Sequence, residues 1–151
     1  MSFTRSILAT SVMLAISASS LAASVQWVDK PTDLVASENP TRENIYEDTQ
    51  LDENKAFTFT GKGNDKAFVN VVSGANYTVA DKTSVWATAS KGNDANAQLG
   101  IFQTNASNFT NNGNVYLSVD NTTDWWAVKV AYGNVGSKLT NNGLIYVKNA
   151  M

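Results

Sequence analysis

Phe109 to Val119 reads FTNNGNVYLSV, and Leu139 to Asn149 reads LTNNGLIYVKN, the same pattern thirty residues on. Phe109 matches Leu139, Thr110 Thr140, Asn111 Asn141, Asn112 Asn142, Gly113 Gly143, Val115 Ile145, Tyr116 Tyr146 and Leu117 Val147, with no gap. Ala67, Ala97 and Ala127 each open a short apolar run at the same period: AFVNVV, AQLGIF and AVKVAY. Lys62-Gly63-Asn64-Asp65 recurs as Lys91-Gly92-Asn93-Asp94, an offset of 29 that also carries Phe57 onto Trp86. About three units therefore lie between Phe57 and Met151, the first preceded by a partial one.

A repeat of this length marks a solenoid or a propeller-like array, in which each unit buries its apolar face only against a neighbour. Inside the unit the runs are short, alternating and β-rich, as in Val115-Tyr116-Leu117-Ser118-Val119, and no stretch keeps a helical period. Helical repeats are excluded. Asn-Asn-Gly supplies residues that tolerate positive φ, which a sharp corner between strands requires. The same residues also signal a hairpin, so antiparallel pairing stays open. The constant period favours an all-β, right-handed parallel β-helix of about three coils, in which each turn returns one strand spacing (~4.8 Å) higher and like residues stack.

Strand periodicity then sorts the side chains. Val115, Leu117 and Val119 point inward with Ile145, Val147, Val85 and Ala87, while Tyr116, Ser118, Tyr146, Lys148, Trp86 and Thr88 point outward. Phe57, Trp86, Tyr116 and Tyr146 fall in one outer column, either a stacking strip for sugar rings or a partner's apolar surface, or a stabilising ladder, open or covered by the N-terminal segment. In Ala56-Phe57-Thr58-Phe59-Thr60 the alternation inverts, which leaves Phe57 a second option of facing the core. Trp125 and Trp126, adjacent at a corner, cannot both point inward, so one of them is a further binding candidate. The candidate binding set is Trp86, Tyr116, Tyr146, Trp125 and Trp126.

Residues 1–23 carry Arg5, an apolar stretch from Ile7 to Leu21 and the small residues Ala22 and Ala23: a secretory signal peptide with cleavage at Ala22 or Ala23. The apolar run is too short and Ser-rich for a membrane anchor, and none follows, so no span is expected in the mature chain. Loss of Arg5 leaves 10 basic against 13 acidic side chains, a net charge of −3, unsuited to nucleic acid. With no cysteine, neither disulfides nor thiolate chemistry is available. Residues 24–55 hold both prolines, the scattered apolar residues Trp27, Val28, Leu34, Ile45 and Tyr46, and six carboxylates from Glu38 to Glu53, and read as an N-terminal cap or leader before the repeats of 56–151. Glu43, Glu47 and Asp48 offer a cation site on paper, but a solvated acidic face is the simpler reading. Asp120 to Asp124 lacks the ligand spacing of known calcium loops. No metal site and no cofactor is expected.

With Asn-Asn-Gly-x-Ile/Val-x-Val ending its coils, a signal peptide and no cysteine, the chain resembles the N-terminal part of a bacterial autotransporter passenger, the adhesin-like β-helix of type V secretion. The resemblance implies a Gram-negative source, export through the periplasm and a secreted or outer-membrane surface location. It also implies a binding or structural role toward glycans or host surface proteins, and a monomer. Such passengers end in a membrane barrel, whereas this sequence stops after an unfinished coil, so a truncated frame is expected. The second coil also departs, with Val79-Ala80-Asp81-Lys82 in place of Asn-Asn. A polysaccharide-acting enzyme on the same fold is the alternative from another class. It would need clustered carboxylates or a basic side chain as base. The absence of histidine removes Ser-His-Asp and Cys-His catalysis and His-ligated zinc, and Arg42 lies outside the coils, so no catalytic residue is assigned. A small fimbrial-type sandwich is the third reading and predicts antiparallel pairing.

Overall fold

Short alternating runs separated by polar corners form strands here, and every ladder between them is parallel. The computed structural model describes residues 25–60, 66–90, 98–120 and 127–150. The signal-peptide segment, the Lys62–Asp65 and Lys91–Asp94 markers, and the Trp125-Trp126 corner lie outside these. Strands come in successive threes, or rungs. The first rung is β1 (Ser37–Glu38), β2 (Glu43–Ile45) and β3 (Thr49–Leu51), and the second is β4 (Lys55–Thr60), β5 (Lys66–Val71) and β6 (Asn76–Val79). The third is β7 (Ser84–Ser90), β8 (Gln98–Thr104) and β9 (Asn108–Asn111). The fourth is β10 (Asn114–Asp120), β11 (Ala127–Gly133) and β12 (Lys138–Asn141), and β13 (Leu144–Ala150) follows it.

Every third strand joins the same sheet, giving the orders β1-β4-β7-β10-β13, β2-β5-β8-β11 and β3-β6-β9-β12. Three parallel sheets built in sequence order are the pattern of a β-solenoid, and they rule out the hairpin reading of Asn-Asn-Gly. Four rungs and an extra strand replace the expected three coils, because Ser37–Leu51, within the stretch read as cap or leader, gives a strand to each sheet.

β1 meets β4 at a step of twenty, but from β4 onward the period of the first sheet is thirty, with Ala56 on Trp86, Trp86 on Tyr116 and Tyr116 on Tyr146. In the second sheet it is not. Val69 pairs with Phe102, a step of 33, and Phe102 with Ala131, a step of 29. The expected stack of Ala67, Ala97 and Ala127 fails with it, since Ala67 pairs with Gly100 and Ala127 with Gln98. The cause lies in the unequal lengths of chain that lead into this sheet, 61–65, 91–97 and 121–126. The second sheet also breaks alternation at one level. Phe68 and Val69, Ile101 and Phe102, and Val130 and Ala131 are consecutive pairs whose two members all pack on the central core.

The Asn-Asn-Gly corner works differently from the turn expected of it. Positive φ occurs at Asn39, Ser73, Gly74, Lys82, Ala106 and Gly136, and at none of the Asn-Asn-Gly residues. Glycine is required there because successive corners approach closely. A Cβ on Gly113 would lie 2.2 Å from the Thr83 carbonyl oxygen, and one on Gly143 2.0 Å from that of Gly113. The asparagines form amide ladders: Asn111 Nδ2 donates to Asn141 Oδ1 at 2.8 Å, and Asn142 Nδ2 to Asn112 Oδ1 at 2.9 Å. Where the second rung lacks the motif, Ala80 to Thr83 make a longer turn with Lys82 at φ 67°.

Inside the three sheets Val71, Val79, Val85, Ala87, Ile101, Phe102, Phe109, Val115 and Leu117 are fully enclosed. Each such aliphatic or aromatic side chain larger than alanine stabilises the stack by ~1.5–3 kcal/mol before entropy is subtracted. The inward assignments of Val85, Ala87, Val115 and Leu117 hold.

Candidate functional site

The outer column of the first sheet is one of the two candidate binding features, and two of its rings stack. Trp86 and Tyr116 lie 5.6 Å apart at 15° between planes, and Tyr146 follows Tyr116 in register. Phe57 is not among them. It pairs with Ala87, faces the core and meets Phe68 at 3.9 Å, so Ala56 takes the place beneath Trp86. The inverted alternation around Phe57 reflects this core position.

The column is covered. Residues 25–36 run over it as a strap, with Leu34 and Ala36 against the cluster of Ala56, Trp86 and Tyr116. Trp27 meets Tyr116 edge-on at 5.6 Å and Tyr146 at 6.1 Å. Two polar contacts fix the strap to the sheet, Trp86 Nε1 donating to the Val28 carbonyl at 2.8 Å and Lys148 Nζ lying 3.8 Å over the Trp27 ring, and within the strap Trp27 Nε1 donates to Asp29 Oδ1 at 2.7 Å. Trp86 and Tyr116 retain 7% and 4% of their surface, too little for a sugar to stack on either ring. Of the described candidate residues only Tyr146, half-buried, keeps more than a few per cent of its surface, with Trp27 of the strap and Lys148 of β13 beside it. Trp125 and Trp126 lie outside the described residues. Trp27 was visible in the sequence only as an aromatic on a polar segment, and its target was not.

A second feature was not foreseen. The first rung opens into a recess of about 370 Å³ whose lining includes Glu43, Lys55, Phe57, Phe68, Tyr77 and Phe102. Burial first, and then the Glu43 carboxylate, push the Tyr77 phenol well above its ordinary value, so it stays neutral. Lys55 pairs with Glu53 at 3.5 Å. Among the described lining residues Glu43 is the one carboxylate, so the recess offers an aromatic floor with a charged rim rather than the paired carboxylates of glycoside hydrolysis.

Among the described residues no group of three or more His, Cys, Asp or Glu side chains is placed to hold a metal ion, and no helix is long and apolar enough to cross a membrane. No family model, curated protein or solved structure matches the chain.

Proposed function

We propose that the chain is a secreted or surface-exposed β-solenoid of the adhesin-like autotransporter-passenger type, with a structural and binding role rather than a catalytic one. In this reading its coils close around one core and wind right-handed, the hand of nearly all (~98%) crossovers between parallel strands of a sheet. The observation that carries this reading is the register of the first sheet, Trp86 under Tyr116 under Tyr146, with Asn111 on Asn141 at the adjoining corner. A chain that lays like residue on like at this spacing builds a long, regular side wall, the form of scaffold that displays contact surface. Parallel ladders throughout favour it over the fimbrial-type sandwich. The absence of histidine, and a first-rung recess with one carboxylate, favour it over a polysaccharide-acting enzyme.

In this reading the leader of residues 1–23 directs the chain into the periplasm, through which it is exported, and glycans or host surface proteins are its partners. The contact set is the rim of the covered column, Tyr146 with Trp27 and Lys148, together with Trp125 and Trp126. The test is expression of the full chain, tagged at its C-terminus, in a Gram-negative host. Fractionation and mass spectrometry of the N-terminus should find chain cut near Ala22–Ala23 outside the cytoplasm, and the purified material should bind a subset of an arrayed glycan panel or intact host cells. Uncut chain held in the cytoplasm sinks the export reading, and export with no binding to either target sinks the adhesin reading.

A further inference from the structure

The two ends of the stack carry opposite charge. From Ser37 to Lys55, the first rung and its connections, there are six acidic side chains, Glu38, Glu43, Glu47, Asp48, Asp52 and Glu53, against Arg42 and Lys55. From Ala127 to Ala150, which holds the last strand of every sheet, there are Lys129, Lys138 and Lys148 and no acid. The ends are also open. Among the described residues β1, β2 and β3 each pair on one side only, and so do β13, β11 and β12. Each edge leaves backbone N–H and C=O groups available to another chain. Both ends are apolar within: the recess of the first rung has its aromatic floor, and the last rung exposes Leu139, Ile145 and Val147 beside a second recess of about 370 Å³.

We infer that the last rung of one copy of this chain binds the first rung of another, head to tail. Two sheet ends match directly, β2 onto β11 and β3 onto β12, and in the first sheet, which has one strand more, β13 of one copy takes the level of the two-residue β1 of the next, so the three parallel sheets continue across the junction. Like-end pairing is disfavoured because it sets acid against acid or lysine against lysine. Because the two patches differ, each added copy leaves one acidic and one basic end exposed, and the assembly grows as an open filament rather than closing as a dimer. This departs from the monomer that the sequence resemblance implies, and it holds whatever ligand the side wall carries.

Sedimentation velocity of the purified chain tests it. The average mass should climb with protein concentration and fall as salt is raised. Two charge-reversal variants, E38K/E47K/D52K at the first rung and K129E/K138E at the last, should each weaken self-association by about tenfold or more. Mixed, they should associate and grow again as alternating copies, since the last rung of each then meets a first rung of opposite charge on the other. Far-UV circular dichroism of each variant shows that it is folded. Folded chain that stays monomeric at every concentration and salt overturns the inference. So do variants that associate as strongly as the unaltered chain, or a mixture that does not pair.

Discussion

FTNNGNVYLSV and LTNNGLIYVKN have one pattern and one backbone path, and opposite fates. In the first copy Phe109, Val115 and Leu117 keep 2%, 0% and 1% of their surface; in the second Leu139, Ile145 and Val147 keep 45%, 36% and 55%. The difference is a neighbour: β9 and β10 have strands on both sides, and β12 and β13 on one. In a stack of this kind a side chain's contribution is fixed by its place in the pile more than by its identity.

Paired truncations measure that difference. Phe109→Ala should cost ~3–5 kcal/mol and Leu117→Ala ~2–5 kcal/mol in chemical denaturation, while Leu139→Ala and Val147→Ala, on monomeric protein, should cost less than about 1 kcal/mol. Equal losses at the two levels would mean that the last rung is covered. Next in size is Asn111→Ala, about 1–3 kcal/mol, because it strands the Asn141 amide, the Leu144 carbonyl and the Gly113 N–H together. Asn142→Ala, at the exposed end of the neighbouring ladder, should fall below it.

Trp27→Ala should cost about 1–3 kcal/mol and open Trp86 to aqueous quenchers, since the strap alone separates that indole from water. An unchanged quenching constant would show that Trp27 does not hold the strap down. The smallest effect is set by pH. The Tyr77 phenol has its folded-state value raised above the unfolded 10.0, so its contribution is complete below about pH 10 and is lost as pH rises beyond that, where only the unfolded chain sheds the proton. Tyr77→Phe should remove that part of the alkaline loss in denaturation curves taken on both sides of pH 10.

Stacking made much of this legible beforehand. A parallel ladder requires like residues at a fixed step, so Tyr116 over Tyr146 and the inward run of Val115 and Leu117 followed from spacing alone. Phe57 was misplaced by a single residue: the KGND marker steps by 29, but the first sheet steps by thirty, and one residue turns a side chain to the other face. The second sheet's register depends on how much chain leads into it, and strand periodicity carries no signal for that. Asn-Asn-Gly was recognised as a corner for the wrong reason, because the carbonyl that excludes a Cβ at Gly113 belongs to a residue thirty positions earlier. The covering of the aromatic column was open for a related reason. Trp27 has no counterpart in the repeat, and its contact with Tyr146 is purely tertiary.

That contact also sets an order of events. Trp27 rests on Tyr146 and Lys148, more than a hundred residues further along the chain, so the strap cannot seat until the ribosome has delivered the chain through Lys148. Until then Trp86 and Tyr116 lack their lid, and closure waits on a loop of more than a hundred residues. Under the proposed export, a chain that closes so late would reach a translocation pore still threadable and lock on the far side.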